Sequence, residues 1–336
     1  MTISFAQRLA VLTLHSDPER GSPYWIEFFR ARGLTAEAVA QDPALAGGMD
    51  AEALRHRPLE DFVPRSVLDS GLPLVTGETG GFTGDPIVTA YLEEEFTAGF
   101  VTPFIKRAAE IGFPVRCNWL WAGPSGPHII GKEVRAILRE VGGLDPFAVD
   151  FDPRWFNKLP EESLSRKRYL EHLHGQILRI LERQRVDVLF TTPPVVRMLG
   201  EILPESKRLA IRGVHYGGVA IPAAEYDFFL QAFPNAIHLS GYGNSLFGMF
   251  PEEARSAAGI EYRTEDSARV EVAILRDPAD LRSFAAPGQD GRILMSRYDR
   301  SFLILNLLER DIATRTERGI LDPRPEARFA SQKVIY

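Results

Sequence analysis

The sequence has a single cysteine, Cys117, and no long hydrophobic run. One cysteine excludes an internal disulfide framework and a cysteine-based zinc cluster. The apolar runs fall far short of the roughly 20 residues that cross a bilayer, and the N-terminus lacks the apolar stretch of a signal peptide. These absences predict a cytoplasmic protein that has no membrane partner.

The sequence also lacks a charge bias. It contains 39 basic and 45 acidic residues, a net charge of −6, without long runs of either sign. A non-specific nucleic-acid binder usually has a basic excess, so no nucleic-acid partner is expected. Hydrophobic residues at 45% and charged residues at 25% are ordinary for a globular chain. The composition favours an enzyme that acts on small molecules.

The pattern along the 336 residues changes three times. Short helices are followed by apolar strands that alternate with helices, which predicts a parallel α/β sheet. Short alternating segments after residue 260 predict antiparallel strands. The predicted organisation is a helical N-terminal segment (1–70), an α/β nucleotide-binding core (71–258), a small β-rich subdomain (259–318) and a tail (319–336).

Several elements are predicted individually. A strand at residues 72–75 leads into a glycine-rich loop and then a helix, whose buried stripe consists of Phe96, Phe100, Phe104 and Ala108. A long helix at 164–185 precedes an apolar strand at 186–190. Further strands are predicted at 213–216, 236–239, 269–275, 292–296 and 302–305, with a helix at 223–233.

Two glycine-rich loops, at 76–86 and 241–246, each follow a predicted strand. Glycine lets successive backbone N–H groups approach a phosphate closely. The first loop is equally compatible with a simple exposed turn. The second begins like a dinucleotide fingerprint, but Leu246 stands at its third glycine position, and neither loop has the Gly-Lys-Ser/Thr ending of a Walker A motif.

Four segments in order carry a resemblance to a known family. They are TGGFTGDP at 79–86, LFTTPPVVRML at 189–199, HYGG at 215–218 with GYGN at 241–244, and FLILNLLERD at 302–311. Together they resemble the N-terminal domain of the adenylate-forming (ANL) superfamily, in its phenylacetate–CoA ligase and LuxE-like acyl-protein synthetase branch, with degenerate motifs.

The resemblance implies a fold and a nucleotide site. The implied fold is α/β, a parallel-sheet adenylation-type N-terminal domain with a small β-rich subdomain and without the C-terminal lid domain. The implied cofactor-binding residues are Thr79, Gly80, Gly81, Thr83 and Gly84 for the phosphates, Gly217, Gly218, Tyr242 and Gly243 around the adenine, and Asp311 for the ribose hydroxyls. For Asp311, an ion pair with a neighbouring arginine is the alternative.

Three residues are candidates for catalysis. His128 lies in a loop after a strand, where it would serve as a base or orient a carboxylate, or else simply cap backbone groups. Asn244 and Ser245 suit a purine edge or a phosphate, and they suit a turn equally well. His215 is expected in a structural or pocket-wall role. Cys117 is expected as a buried small hydrophobe rather than a nucleophile.

The departures from the family pattern concern charge. Leu246 stands where the family has the glutamate that helps to hold Mg²⁺, and Asp85 stands where it often has a basic residue. No metal ligand is therefore predicted in the protein, and the cofactors are expected to be ATP with Mg²⁺ held by its phosphates and water.

The resemblance implies an ATP-dependent adenylate-forming enzyme. It would activate a small carboxylate, or another oxyanion, for transfer to an amine, a thiol or a carrier protein, in specialised metabolism. The alternative is a non-catalytic homologue that binds a nucleotide, an acyl ligand or a partner enzyme. The missing Mg²⁺ glutamate and the expected absence of the lid domain favour the alternative, and the glycine loops and Asp311 favour the enzyme.

Overall fold

A computed structural model describes residues 3–80, 85–218 and 220–327 of the chain. In these ranges, eleven strands form one mixed sheet and two more form a separate antiparallel hairpin. None of the helices in these ranges combines the length and hydropathy that a bilayer-spanning helix requires.

In the described ranges, the α-helices lie between residues 5 and 232. They are α1 (Phe5–Ser16), α2 (Pro23–Arg32), α3 (Ala36–Gln41), α4 (Ala51–His56), α5 (Arg65–Leu68), α6 (Glu93–Phe96), α7 (Thr102–Ile111), α8 (Ile129–Val141), α9 (Pro153–Lys158), α10 (Leu164–Arg183), α11 (Pro193–Ile202), α12 (Glu205–Ala210) and α13 (Ala223–Ala232).

The strands become longer towards the C-terminus. They are β1 (Leu74–Glu78), β2 (Val88–Leu92), β3 (Trp119–Ala122), β4 (Phe147–Ala148), β5 (Val188–Thr191), β6 (Gly213–Gly217), β7 (Ile237–Asn244), β8 (Gly248–Ser256), β9 (Gly259–Arg263), β10 (Val270–Leu275), β11 (Asp290–Tyr298), β12 (Leu303–Arg315) and β13 (Gly319–Pro325).

The N-terminal helices have clear local start signals. Ser4 and Gln7 form a capping box at the start of α1, because each side chain accepts the other residue's backbone N–H. Helix α2 begins with Pro23, whose missing N–H costs nothing at this position. The Trp25 indole donates to the Leu303 carbonyl at 3.2 Å. These helices therefore share a hydrophobic core with the antiparallel strands.

The hairpin of β1 and β2 precedes the helix that was predicted to carry a buried phenylalanine stripe. The predicted strand at 72–75 overlaps β1, but the strand runs on to Glu78, and β2 stands where the sequence pattern predicted no strand. The predicted stripe is confirmed, because Phe96, Phe100, Phe104 and Ala108 are all buried. Their helix is continuous from α6 to α7 through one π-helical turn at Thr97–Val101.

The predicted parallel sheet is confirmed. Strands β4, β3, β5, β6 and β7 lie side by side in this order, all parallel. One face packs against α7 and α8, and the other packs against α10, α11 and α13. The carboxyl ends of parallel strands share one edge, which is where open α/β sheets bind ligands.

Antiparallel strands continue the same sheet. Strand β8 turns back from β7, and the order then runs β9, β13, β12, β11, β10, all antiparallel. This confirms the antiparallel prediction for the C-terminal part. Residues 319–325, expected within a tail, instead form β13 between β9 and β12. The domain boundaries given above stay a prediction.

Candidate functional site

The predicted adenine segments meet at the carboxyl edge of the parallel strands. Gly217 ends β6 and pairs with Gly241 of β7, so closely that a Cβ at position 217 would lie 2.7 Å from the Gly241 carbonyl oxygen. Gly218 follows with a φ of 83°, a conformation that glycine adopts readily. Tyr242 and Gly243 continue β7 beside them. Two neighbouring strands therefore hold these residues, with Gly218 directly after the end of β6.

Asp311 reaches this edge from the antiparallel part of the sheet. Its carboxylate accepts a hydrogen bond from the Tyr242 hydroxyl at 3.0 Å. Burial raises the pKa of Asp311, and the bond from Tyr242 opposes that rise. The Tyr242 ring is half-buried and lies 5.6 Å from the Tyr262 ring. The structure thus brings together two residues that separate motifs nominated.

A second pair lies beside the first. The Asn244 side-chain amide donates to the Glu309 carboxylate at 2.9 Å. Burial raises the pKa of Glu309, the bond from Asn244 lowers it, and the Asp311 charge adds to the rise. Two carboxyl groups therefore lie near each other on β12, each with one neutral donor from the end of β7.

Three buried donors fix the turn after β7. The carbonyl of Ser245 accepts from the Tyr91 hydroxyl at 2.7 Å. The next carbonyl, of Leu246, accepts from Arg297 at 3.1 Å, and that of Phe247 accepts from Arg269 at 2.8 Å. Three successive carbonyls are thus held by groups from three different parts of the chain. The Asn244–Ser245 turn has one defined position.

The side chain of Leu246 does not face this site. It is 4% exposed and belongs to the large core under the antiparallel strands. A glutamate placed there would be buried away from the turn's polar groups. In the described ranges, no cluster of three histidine, cysteine or acidic residues could hold a metal ion.

The first glycine-rich loop is closed at its base by Thr79. The Thr79 hydroxyl accepts from the Ile87 N–H at 2.9 Å, and the Thr79 N–H donates to the Ile87 carbonyl at 3.0 Å. Gly80 follows immediately. The other predicted phosphate contacts, Gly81, Thr83 and Gly84, lie outside the described residues.

Ser245 links this loop to the turn after β7. Its hydroxyl donates to the carbonyl of Glu78, the last residue of β1, at 3.0 Å. The backbone of Glu78 also forms a bridge with His128, the N-cap of α8. The predicted catalytic residues Ser245 and His128 therefore both adjoin the loop.

His128 is neutral at physiological pH in this setting. Its side chain is 6% exposed, and burial lowers its pKa. The positive charge of Arg154 lowers the pKa further, while Glu78 and Asp152 raise it. A neutral imidazole can accept a proton or a hydrogen bond, which suits a base or an orienting group. In the alternative role, the His128 side chain would cap backbone groups. No such hydrogen bond is present at the start of α8, where His128 is the N-cap residue.

Arg154 and Glu309 are residues at the candidate site that no sequence motif singled out. Arg154 lies near the start of α9, and its Nη2 atom is 2.7 Å from a carboxylate oxygen of Glu78 and 3.1 Å from the Thr79 carbonyl. Its Nε atom is buried without a hydrogen-bond partner. A basic residue in a short helix, 75 positions from the loop, carries no local motif that would reveal this contact.

The remaining candidates are structural. His215 is buried, with its ring 4.3 Å from Phe190 and 5.1 Å from Phe104. Burial lowers its pKa to about 3. Cys117 donates to the Pro114 carbonyl at 3.2 Å, and burial raises its thiol pKa, which disfavours the reactive thiolate.

Comparison with known proteins gives matches in structure only. No family model and no curated protein matches the chain. Similar solved structures include an ATP-bound RpMatB–BxBclM chimera, with a TM-score of 0.53 and 15% identity, covering 75% of this chain and 47% of the other. Apo MatB from Rhodopseudomonas palustris gives a TM-score of 0.51 at 15% identity, with the same coverage.

A luciferase-like enzyme from the nonluminescent mealworm Zophobas morio gives a TM-score of 0.50 at 16% identity, covering 78% of this chain and 58% of the other. The chain thus spans about half the length of the solved structures that it matches. Identity at this level shows the fold alone. The chain has the mixed α/β fold of the adenylation-type N-terminal domain.

Proposed function

We propose that this protein binds ATP at the carboxyl edge of its parallel strands and adenylates a small carboxylate. The activated acyl group would pass to an amine, a thiol or a carrier protein. The observation that carries the proposal is the hydrogen bond between Tyr242 and Asp311, because it joins the motifs assigned to adenine and to ribose at one place. The ATP-bound chimera with the same fold supports the use of ATP.

The residues present are compatible with a nucleoside. Gly217 and Gly218 offer backbone without side chains beside the half-buried ring of Tyr242, which suits a flat base. The Asp311 carboxylate can accept bonds from ribose hydroxyls once Tyr242 releases it. Stacking of a base on an aromatic ring contributes about 1–3 kcal/mol.

Magnesium would enter with the phosphates. The described residues offer no three-ligand cluster, and Leu246 is buried in the core. When bound, Mg²⁺ supplies charge neutralisation on the phosphate oxygens. The chain's own part is then to position the carboxylate. Neutral His128 would orient it beside the loop, and Ser245 would donate to it.

Two measurements test the proposal. Calorimetry with ATP, AMP and adenosine should show binding to the wild-type protein, and Asp311→Ala should weaken adenosine binding. Pyrophosphate release should then appear with at least one member of a panel of aliphatic and aromatic carboxylic acids. Absence of nucleotide binding to the folded protein would reject the proposal.

A second candidate is a binding protein without catalysis. It is favoured by the way in which the site's polar groups bond to each other: Tyr242 to Asp311, Asn244 to Glu309 and Arg154 to Glu78. This candidate predicts AMP or adenosine binding without pyrophosphate release from any acid.

A further inference from the structure

A small cavity lies at the carboxyl ends of β3 and β4, at one end of the sheet. Its walls come from the end of β3 and the loop after it, from the first two turns of α8, and from the end of β4. Its volume is about 150 Å³, and a cavity of this size holds a ligand of about six heavy atoms. Strands β5 and β6 lie between β3 and β7, so the cavity is separate from the Tyr242–Asp311 pair.

The indole of Trp121 brings an unused hydrogen-bond donor to this cavity. Trp121 is 2% exposed and lines the cavity, and its N–H has no acceptor in the described ranges. A buried indole N–H usually finds a partner, as that of Trp25 does on the Leu303 carbonyl. The backbone at Gly123 holds the ring in place, because a Cβ there would lie 2.2 Å from the Cη2 atom of Trp121. The unused N–H is therefore a fixed feature of the cavity.

The polar groups of the cavity converge beside Gly131 of α8. A Cβ at this position would lie 3.5 Å from the Trp121 Nε1 atom, 3.6 Å from the Pro124 carbonyl oxygen and 3.8 Å from the Arg135 Nη1 atom. No described residue donates a hydrogen bond to the Pro124 carbonyl. A small molecule at this point would therefore meet a free donor, a free acceptor and a guanidinium.

Two cations and one carboxylate line the cavity. Lys132 donates to the Thr76 carbonyl at 2.6 Å, and Arg135 donates to the Gly131 carbonyl at 3.0 Å. Neither cation pairs with a carboxylate among the described residues. The N-terminal end of α8 adds partial positive charge. Asp150, which follows β4, is exposed and supplies the carboxylate. The charges thus favour an anionic ligand that also carries a donor.

We propose that this cavity binds a small carboxylic acid with a hydrogen-bond donor on the adjacent carbon, the chemistry of an α-amino or α-hydroxy acid. The ligand's carboxylate accepts from the Trp121 indole and pairs with the Arg135 guanidinium, and its N–H or O–H group donates to the Pro124 carbonyl. The carboxylate of Asp150 favours an ammonium over a hydroxyl group. This second site goes beyond the proposed function, because it lies apart from the nucleotide residues.

The experiment is calorimetric titration of the full chain with L-alanine, L-lactate, propionate and ethylamine. Alanine and lactate should bind, propionate should bind about tenfold more weakly because it lacks the donor, and ethylamine should not bind because it lacks the carboxylate. Asp150→Asn should weaken the binding of alanine and leave that of lactate unchanged, which separates the two kinds of acid.

Two substitutions test the position of the ligand. Trp121→Phe removes the N–H and keeps an aromatic ring, so alanine should bind about ten- to a hundredfold more weakly. Alanine should also change the tryptophan fluorescence of the wild type, and this change should be lost in Trp121→Phe. Gly131→Ala places a methyl group on the convergence point, so it should abolish alanine binding.

Gly131→Ala is also the variant that keeps the fold. Its new Cβ makes only contacts of 3.5 Å or more, and alanine is the better helix former. Gly175→Ala is the matched control, since it is the same substitution inside α10 with nothing within 4 Å of the new Cβ. It should leave alanine binding unchanged.

Three results would overturn the proposal. If the wild type binds none of the four compounds, the cavity holds water only. If Gly131→Ala binds alanine as tightly as the wild type, the acid binds elsewhere. If propionate binds as tightly as lactate, the ligand needs no donor. Adenosine binding should be equal in wild type and Gly131→Ala, and a wild type that binds alanine but not adenosine contradicts the proposed function alone.

Discussion

The Tyr242 hydroxyl lies 3.0 Å from a carboxylate oxygen of Asp311, although β8, β9 and β13 separate their strands in the sheet. Residues on strands so far apart in the order meet only where the sheet bends strongly. The bend brings the antiparallel strand β12 over the end of the parallel strand β7. The proposed nucleotide site lies where the parallel part and the antiparallel part of the sheet face each other.

Tyr242→Ala should weaken AMP binding without unfolding the protein. The substitution removes the aromatic surface, whose stacking on a base contributes about 1–3 kcal/mol, from a half-buried position. Tyr242→Phe is the matched control, because it keeps the ring and removes only the bond to Asp311. It should retain most of the affinity in calorimetry. Equal AMP affinity of wild type and Tyr242→Ala would show that the ring does not contact the base.

Arg297→Met should destabilise the protein by about 3–5 kcal/mol in urea unfolding. The Arg297 side chain is fully buried and bonds to Asp299, Thr89 and the carbonyls of Ala90 and Leu246. Removal of the guanidinium leaves a buried carboxylate with one cation fewer, and it leaves two carbonyls without this donor. Its position 3.6 Å over the Tyr91 ring adds a cation–π contact.

Arg300→Met is the control for that variant. Arg300 pairs with Glu94 at the surface, with both side chains more than half exposed. Such a pair contributes about 0–1 kcal/mol, so the control should change the free energy of unfolding little. Similar losses from both variants would mean that the buried arginine has no special role in holding the turn after β7.

The sequence predicted the elements that depend on local periodicity. Helix α10 begins at the predicted residue and ends two positions early, and the phenylalanine stripe is buried as expected. The parallel direction of these strands follows from helix–strand alternation. Strand β2 was missed because its sequence, VTAYL, is short and directly precedes a helix. No alternation of polar and apolar residues marks where the strand ends.

Sequence motifs nominate residues of the candidate site only where the motif is local. Tyr242, Gly217 and Asp311 were nominated through short segments, but the hydrogen bond between Tyr242 and Asp311 was not visible in any of them. Arg154 and Arg297 act over long sequence distances, 75 and 51 positions from the carbonyls of Thr79 and Leu246. The resemblance placed Leu246 where a glutamate would be expected, yet its side chain is buried in the core, which the sequence does not reveal.

Glu133→Gln should stabilise the protein increasingly as pH rises. Glu133 is fully buried on α8, both carboxylate oxygens lack a hydrogen-bond partner, and burial raises its pKa well above the ordinary value. The folded protein therefore holds a proton that the unfolded chain releases above its pKa of about 4.3. Wild-type stability is fully present below that pH and falls as pH rises towards the folded pKa.

The measurement is urea unfolding of both proteins at pH 4.5, 6, 7 and 8. The two free energies should be similar at the lowest pH, and their difference should grow by about 1.4 kcal/mol for each pH unit crossed. Glu140→Gln on the same helix is the control, since Glu140 is exposed. A constant difference between wild type and Glu133→Gln across this range would contradict the raised pKa.

Two glycines should respond to alanine in opposite directions. At Gly243, φ is 151° and a Cβ would lie 1.9 Å from the Gly248 carbonyl oxygen, so Gly243→Ala must displace the backbone of the turn after β7. We expect it to lower the free energy of unfolding by more than about 1 kcal/mol.

Gly175 lies inside α10 with nothing within 4 Å of a Cβ, so Gly175→Ala should raise the free energy of unfolding by about 0.5–1 kcal/mol. Thermal and urea unfolding of the two variants would check both signs. A stabilising Gly243→Ala would mean that β7 and β8 are further apart than described, and the turn that carries Asn244 and Ser245 would then not be rigid.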